Sequence, residues 1–142
     1  MTTRQLETVD MLHSLGCSCI IDNGTDRTIC HERGVKDLLR ILTKTPTLLA
    51  GSFIADKVVG KGAAAIMAAG GVASVYTDTI SRPALEMFMA NGITVSYGTC
   101  VPNIINRAGT GICPVEQLCA DATTPYECIP LIQSFVNSLI PQ

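Results

Sequence analysis

The chain has 142 residues, of which 47% are hydrophobic and 15% charged, with a formal net charge of −2 at pH 7. That length supports one compact domain with its own core, and the hydrophobic fraction excludes a disordered tail protein. The near-neutral charge provides no field to hold a nucleic acid, and the apolar stretch from Gly62 to Val75 is too short, and too broken by Gly70-Gly71, for a membrane span.

No basic segment followed by an apolar run opens the chain, and Thr2 to Glu7 read as the start of a polar helix, so a cytoplasmic location is expected. Leu6, Val9, Leu12 and Leu15 recur at three-residue steps and Gly16 supplies a stop, which predicts an amphipathic helix. Cys17 to Ile21 and Thr28 to Cys30 flank Asp22-Asn23-Gly24-Thr25-Asp26, and the Asn-Gly pair predicts an antiparallel hairpin. Val35, Leu38, Leu39 and Leu42 lie at helical spacing within Gly34 to Leu42, with Pro46 beyond as a breaker. Asp56 to Gly70, crowded with Gly and Ala, reads as one helix with Asp56 at its positive entry and Lys57 and Lys61 on one face.

Val72 to Thr77 predicts a strand that carries Asp78 and Ser81 to its carboxyl end, where α/β sheets present ligands. Ser81 caps a helix running to Asn91, with Pro83 in its first turn and Asn91-Gly92 as its stop. Ile93 to Tyr97 alternates as a further strand. A loop punctuated by Pro and Gly then leads from Cys100 to a helix opened by Cys113-Pro114-Val115-Glu116, and a last helix is expected over Ile129 to Ile140. This order predicts the α/β class: a three-layer α/β/α sandwich on a mixed sheet of about four to five strands, forming one domain. The seven cysteines are an odd number and read as buried thiols in a reducing compartment. A sparse charged surface on so apolar a chain suggests a homo-oligomer.

Several residues carry chemistry. Cys113, just before Pro114, sits where a helix dipole lowers a thiol pKa and makes a nucleophile, while Glu116 three residues on fits a capping box, a purely structural role. Asn106 and Arg107, in the glycine-rich loop, offer an amide and a guanidinium to the same place, or Arg107 pairs with Glu116 and locks the loop. Lys57 and Lys61 either hold a phosphate or carboxylate at a helix entry or lie over apolar surface. Gly60-Lys61 does not complete a phosphate loop, since Ala55 and Gly62 stand where Gly and Ser or Thr are required. Cys17, Cys19 and Cys30 gather in the hairpin beside His31, but without a Cys-x-x-Cys pair they read as core rather than metal ligands. His13 reads as a surface or boundary residue.

Three separated blocks also carry a resemblance: Ala55-Asp56-Lys57-Val58-Val59-Gly60-Lys61-Gly62-Ala63-Ala64-Ala65; Val75-Tyr76-Thr77-Asp78 with Ser81 and Ala84; and Ile105-Asn106-Arg107 with Gly109, Gly111, Cys113, Pro114 and Glu116. Together they make the chain, from Val9 to Glu116, similar to an uncharacterised prokaryotic family of unknown function with a cytidine-deaminase-like fold. The resemblance implies a fold rather than a reaction. Zinc deamination needs His-x-Glu at one helix start and Pro-Cys-x-x-Cys at the next, and the matching positions here hold Ala55-Asp56-Lys57 and Ser81-Arg82-Pro83-Ala84. What remains is a small anionic or nucleotide-like ligand between those two starts, with Lys57, Lys61 and Arg107 supplying charge and Asp56, Asp78 and Ser81 orientation. Two other readings stand beside it. One is a metal-free enzyme with Cys113 as nucleophile and Lys57 or Asp56 as acid or base. The other is an oligomeric scaffold without a small-molecule site. No cofactor is expected.

Overall fold

Helix α1 (Thr3–Leu15) is bracketed by its own caps: Thr2 and Gln5 exchange side-chain and backbone bonds as a capping box, and Gly16 closes it at φ 66°. Strands β1 (Cys19–Asp22) and β2 (Arg27–Cys30) follow as the expected antiparallel hairpin, its turn held by Asn23 Oδ1, which accepts from the backbone N–H of Thr25 and Asp26. Then come α2 (Lys36–Lys44), a 3₁₀ turn at Pro46–Leu48, β3 (Phe53–Val59), α3 (Lys61–Ala69), β4 (Ser74–Ser81), α4 (Arg82–Ala90), β5 (Thr94–Val101), α5 (Pro114–Leu118) and α6 (Pro125–Ser138). The computed structural model describes residues 1–32 and 35–139. Gly34 and Ile140, the expected outer ends of two helices, lie outside the described residues.

The five strands form one sheet in the order β2-β1-β3-β4-β5. β1 runs antiparallel to both of its neighbours, while β3, β4 and β5 are parallel, joined by α3 and α4 as crossovers. Helix α1 covers one face, where Val9 and Leu12 meet Cys17, Ile20, Phe53 and Ala55. The other face carries the larger core, in which Ile21, Ile54, Val75 and Ile80 pack beneath Leu38, Ile66 and Phe88, with Ile132 of α6 in the same cluster. Helices therefore lie on both faces, as the α/β/α sandwich requires.

The principal departure from the sequence reading is at Asp56. Asp56 and Lys57 do not open a helix; they lie inside β3, and the helix begins only at Lys61. Phe53-Ile54-Ala55 pairs with both β1 and β4, the β-branched Val58-Val59 favours the extended chain, and Gly60 is itself extended at ψ 179°. Only the Ala-rich remainder has the propensity for a helix. Lys57 and Lys61 thus share no helix face.

β3 and β4 also break step together. Ile54 and Val59 are five residues apart yet share the larger core, as do Val75 and Ile80, although strict alternation puts such pairs on opposite faces. At the same level, Asp56 Oδ1 accepts from the Val58 N–H at 3.3 Å and Thr77 Oγ1 donates to the Thr79 carbonyl at 3.0 Å, and Asp56 and Thr77 are register partners. Gly98 on β5 meets this step with no side chain to spare, because a Cβ there would lie 2.8 Å from the Asp78 carbonyl oxygen.

Candidate functional site

The step turns the carboxyl end of β3 toward a cleft of about 640 Å³, walled by the base of the hairpin, the first turn of α2, the start of α3, the loop at 104–107 and the start of α5. Of the nine residues singled out from sequence, Asp56, Lys57, Asn106, Arg107, Cys113 and Glu116 line it. Lys61, Asp78 and Ser81 do not. The hollow therefore lies between β3, the hairpin and α5, not between the Asp56 and Ser81 helix starts.

Asp56 forms the floor and is 8% exposed. Burial raises its pKa to about 7; the N–H groups of Val58 and Lys57 pull against this, and the charge of Asp78 adds to it. A carboxyl group poised there both donates and accepts a proton near neutrality. Cys19 faces it across the β1–β3 register and Cys30 faces Cys19 across β1–β2. The bond with Cys30, then burial, then the Asp56 charge hold the Cys19 thiol up. Cys17 lines the same cleft but packs under α1, whereas Cys19 and Cys30 belong to the opposite core. Among the described residues no three His, Cys, Asp or Glu side chains converge as metal ligands.

Glu116 is 3% exposed and caps a helix, though not its own. Its Oε1 accepts from the Lys61 N–H at 3.2 Å, at the start of α3, and its Oε2 accepts from Asn103 Nδ2 at 3.2 Å. Gly60, the N-cap of α3, has no side chain to do this, and a Cβ on it would stand 2.8 Å from Glu116 Oε1. One residue on, a Cβ at Gly62 would run into Val115 Cγ1, so two glycines let α5 seat against α3. Arg107 does not pair with Glu116. It is exposed at the rim and makes no ion pair or side-chain hydrogen bond among the described residues. Asn106 braces the loop, accepting from the Thr110 N–H at 3.0 Å and donating to Thr110 Oγ1 at 3.1 Å. Cys113 is the N-cap of α5 by position, but its side chain makes no cap bond.

The remaining three are engaged elsewhere. The Lys61 ammonium donates to the carbonyls of Ala120 at 3.2 Å and Ala122 at 2.6 Å, tying α3 to the turn before α6. Ser81 is fully buried and accepts from the Ala84 N–H at 3.2 Å as the N-cap of α4, as expected. Asp78 lies on the α1 side, where Tyr76 Oη donates to its Oδ1 at 2.7 Å and His13 Nε2 stands 2.8 Å from the same oxygen. Burial alone would raise the Asp78 pKa, but those bonds and the nearby charges of His13 and Lys57 hold it below the usual range. His13, half-exposed at the boundary of α1 as expected, is thereby also a docking contact of that helix. Sequence reasoning missed Lys36 at the cleft; only the α2 start, falling next to the hairpin in space, brings it there.

The model of the family described as "TM1506: Domain of unknown function (DUF1893)" matches residues 7–136. Among solved structures, the crystal structure of a DUF1893 family protein (TM1506) from Thermotoga maritima superposes with a TM-score of 0.86 at 24% identity, covering 95% of this chain and 92% of that one. That likeness speaks for the fold. No curated protein matches the chain. With nearly the whole length matched by the family model, the chain belongs to the DUF1893 family.

Proposed function

We propose that this is a cytidine-deaminase-like scaffold of a prokaryotic, cytoplasmic protein, and that its cleft binds a small anionic or nucleotide-like molecule. The observation that carries this reading is the meeting of Asp56, with a pKa of about 7 at the floor, with the cations Lys57 and Arg107 in the wall of one cleft of about 640 Å³. A carboxyl that switches between donor and acceptor suits a base edge or a sugar hydroxyl, and a guanidinium exposed at the rim suits a phosphate or carboxylate. The volume lies in the range of small-molecule sites. Thermal denaturation with nucleoside monophosphates and inorganic phosphate tests it. The expected result is a stabilisation that grows with ligand concentration and disappears in Lys57→Met/Arg107→Met. No shift with any of these probes, or a shift unchanged in the double variant, overturns it.

The presence of Cys113 in the lining of the same cleft as Asp56, with its side chain making no cap bond, favours one second reading. In it, a metal-free enzyme uses Cys113 as nucleophile and Asp56 or Lys57 as acid or base in a group-transfer or thiol reaction. Iodoacetamide labelling followed by peptide mass analysis decides, with the exposed Cys100 as internal reference. An activated Cys113 labels faster than Cys100; labelling no faster than Cys100 ends this reading.

A further inference from the structure

Three neighbouring strands set one row of side chains across the open end of the hairpin. Cys30 on β2 is the register partner of Cys19 on β1, and Cys19 is in turn the register partner of Asp56 on β3. Directly opposed residues of an antiparallel pair point to the same face of the sheet, here the larger core, with Cα atoms about 4.5–5.5 Å apart. A disulfide spans Cα separations of about 4.4–6.8 Å, so a bond between these two thiols needs no large movement of either strand. Both line the cleft. The other thiols are placed differently. Cys119 and Cys128 are fully buried and neither lines the cleft, Cys17 packs under α1 on the opposite face, and Cys100 has Ile80 as its register partner. Among the described residues no other two cysteines are register partners.

We propose that Cys19 and Cys30 form a dithiol redox site in the wall of the cleft, whose substrate is a low-molecular-weight disulfide, R–S–S–R, and whose product is a reversible disulfide across the open end of the hairpin. The bond between the thiols assigns their roles. Cys19 donates it and is held protonated, whereas accepting it, with the charge of Arg40 in support, lowers the Cys30 pKa against burial and the charges of Asp37 and Asp56. The Cys30 thiolate attacks one sulfur of R–S–S–R; that S–S bond breaks, and the released RS⁻ takes up the proton that Cys30 had lost to water. Cys19 then loses its proton and attacks Cys30 Sγ; the bond from Cys30 to SR breaks, and the second RS⁻ takes up that proton. One disulfide breaks and one forms, the two cysteines are oxidised, and R–S–S–R is reduced to two RSH. A cleft of about 640 Å³ has room for such a reagent. The inference is independent of which anion the cleft binds.

Titration of the folded full chain with glutathione disulfide tests it, followed by acid quenching, alkylation of the remaining thiols and peptide mass analysis. The expected product is a Cys19–Cys30-linked peptide, which excess reduced glutathione returns to two thiols. Cys19→Ser should stop at a glutathione adduct on Cys30, and Cys30→Ser should give neither a link nor an adduct on Cys19. Cys119 and Cys128 should stay reduced throughout. Absence of the linked peptide under conditions that load the exposed Cys100 with glutathione overturns the proposal. So does a link that forms only in urea, one that reduced glutathione leaves intact, or an equal yield of a Cys119–Cys128 link. Should a variant not fold, the native chain carries the test alone, since the linked peptide, its reversal and the reduced Cys119 and Cys128 are all read on it.

Discussion

Asp56 sets a pH dependence by itself. Its carboxyl titrates near 3.8 in a free chain and at about 7 when folded, so between those values the folded protein holds a proton that the unfolded chain has lost. Stability therefore falls as pH rises through that window, by on the order of 1.4 kcal/mol per pH unit, and is flat above it. Asp56→Asn should remove this slope: the native melting temperature declines from pH 5 to pH 7, while that of the variant does not decline over the same range. Asp22 acts with the opposite sign in a lower range. Burial opposes its ionisation, but the bonds from Arg4 and the Gly24 N–H and the charge of Arg27 hold its pKa below 3.8. Its contribution is present above 3.8 and lost as pH falls through the lowered value. Acid melts below pH 4 thus report Asp22 together with Asp78, which is lowered likewise, and melts between pH 5 and 7 report Asp56.

Glu116 joins two elements, α5 and α3, through one carboxylate. Glu116→Ala strands the Lys61 N–H beside a buried gap and should lower stability by about 1–3 kcal/mol. Glu116→Gln keeps an acceptor for that N–H, and the Asn103 amide can turn to meet its NH₂, so less than half of the loss is expected; urea denaturation of both variants checks the order. This contact also shows where sequence reasoning stopped. The pattern Cys113-Pro114-Val115-Glu116 correctly marked a helix start, because Pro at the first position and an acid in the first turn are local signals. That the acid serves a different helix depends on Gly60 and Gly62 admitting α5, which no local pattern encodes. The same holds for β3. Its alanines and glycines blend into those of α3, and only pairing with β1 and β4 separates strand from helix. The Ser81 cap, the Gly16 stop and the Asn23-Gly24 turn were legible because each is decided within a few residues. Lys61 and Ser81 do not reach the cleft, because their polar atoms are spent on backbone partners distant in sequence or hidden at a cap.

At the scale of the molecule, the two faces of the sheet are unequally protected. Several helices share the larger core, whereas α1 packs over the smaller one, from which Leu12 is fully buried. Leu12→Ala should therefore cost about 2–5 kcal/mol in urea denaturation. His13→Ala, which removes a half-exposed contact to Asp78 on the same helix, should cost less than about 1 kcal/mol. A reversal of that order would mean that ionic docking, and not the apolar stripe, fastens α1. No helix among the described residues is long and apolar enough to cross a membrane.

The broken step in β3 has one further bearing on the cleft. The carboxylate of Asp56 that lines the cleft also accepts from the Val58 amide through Oδ1 and so helps set the angle of the strand. Any change in the charge or contacts of that carboxylate is then felt by the backbone two residues on. The Val58 amide resonance becomes a built-in gauge of occupancy, readable in a spectrum without any added label.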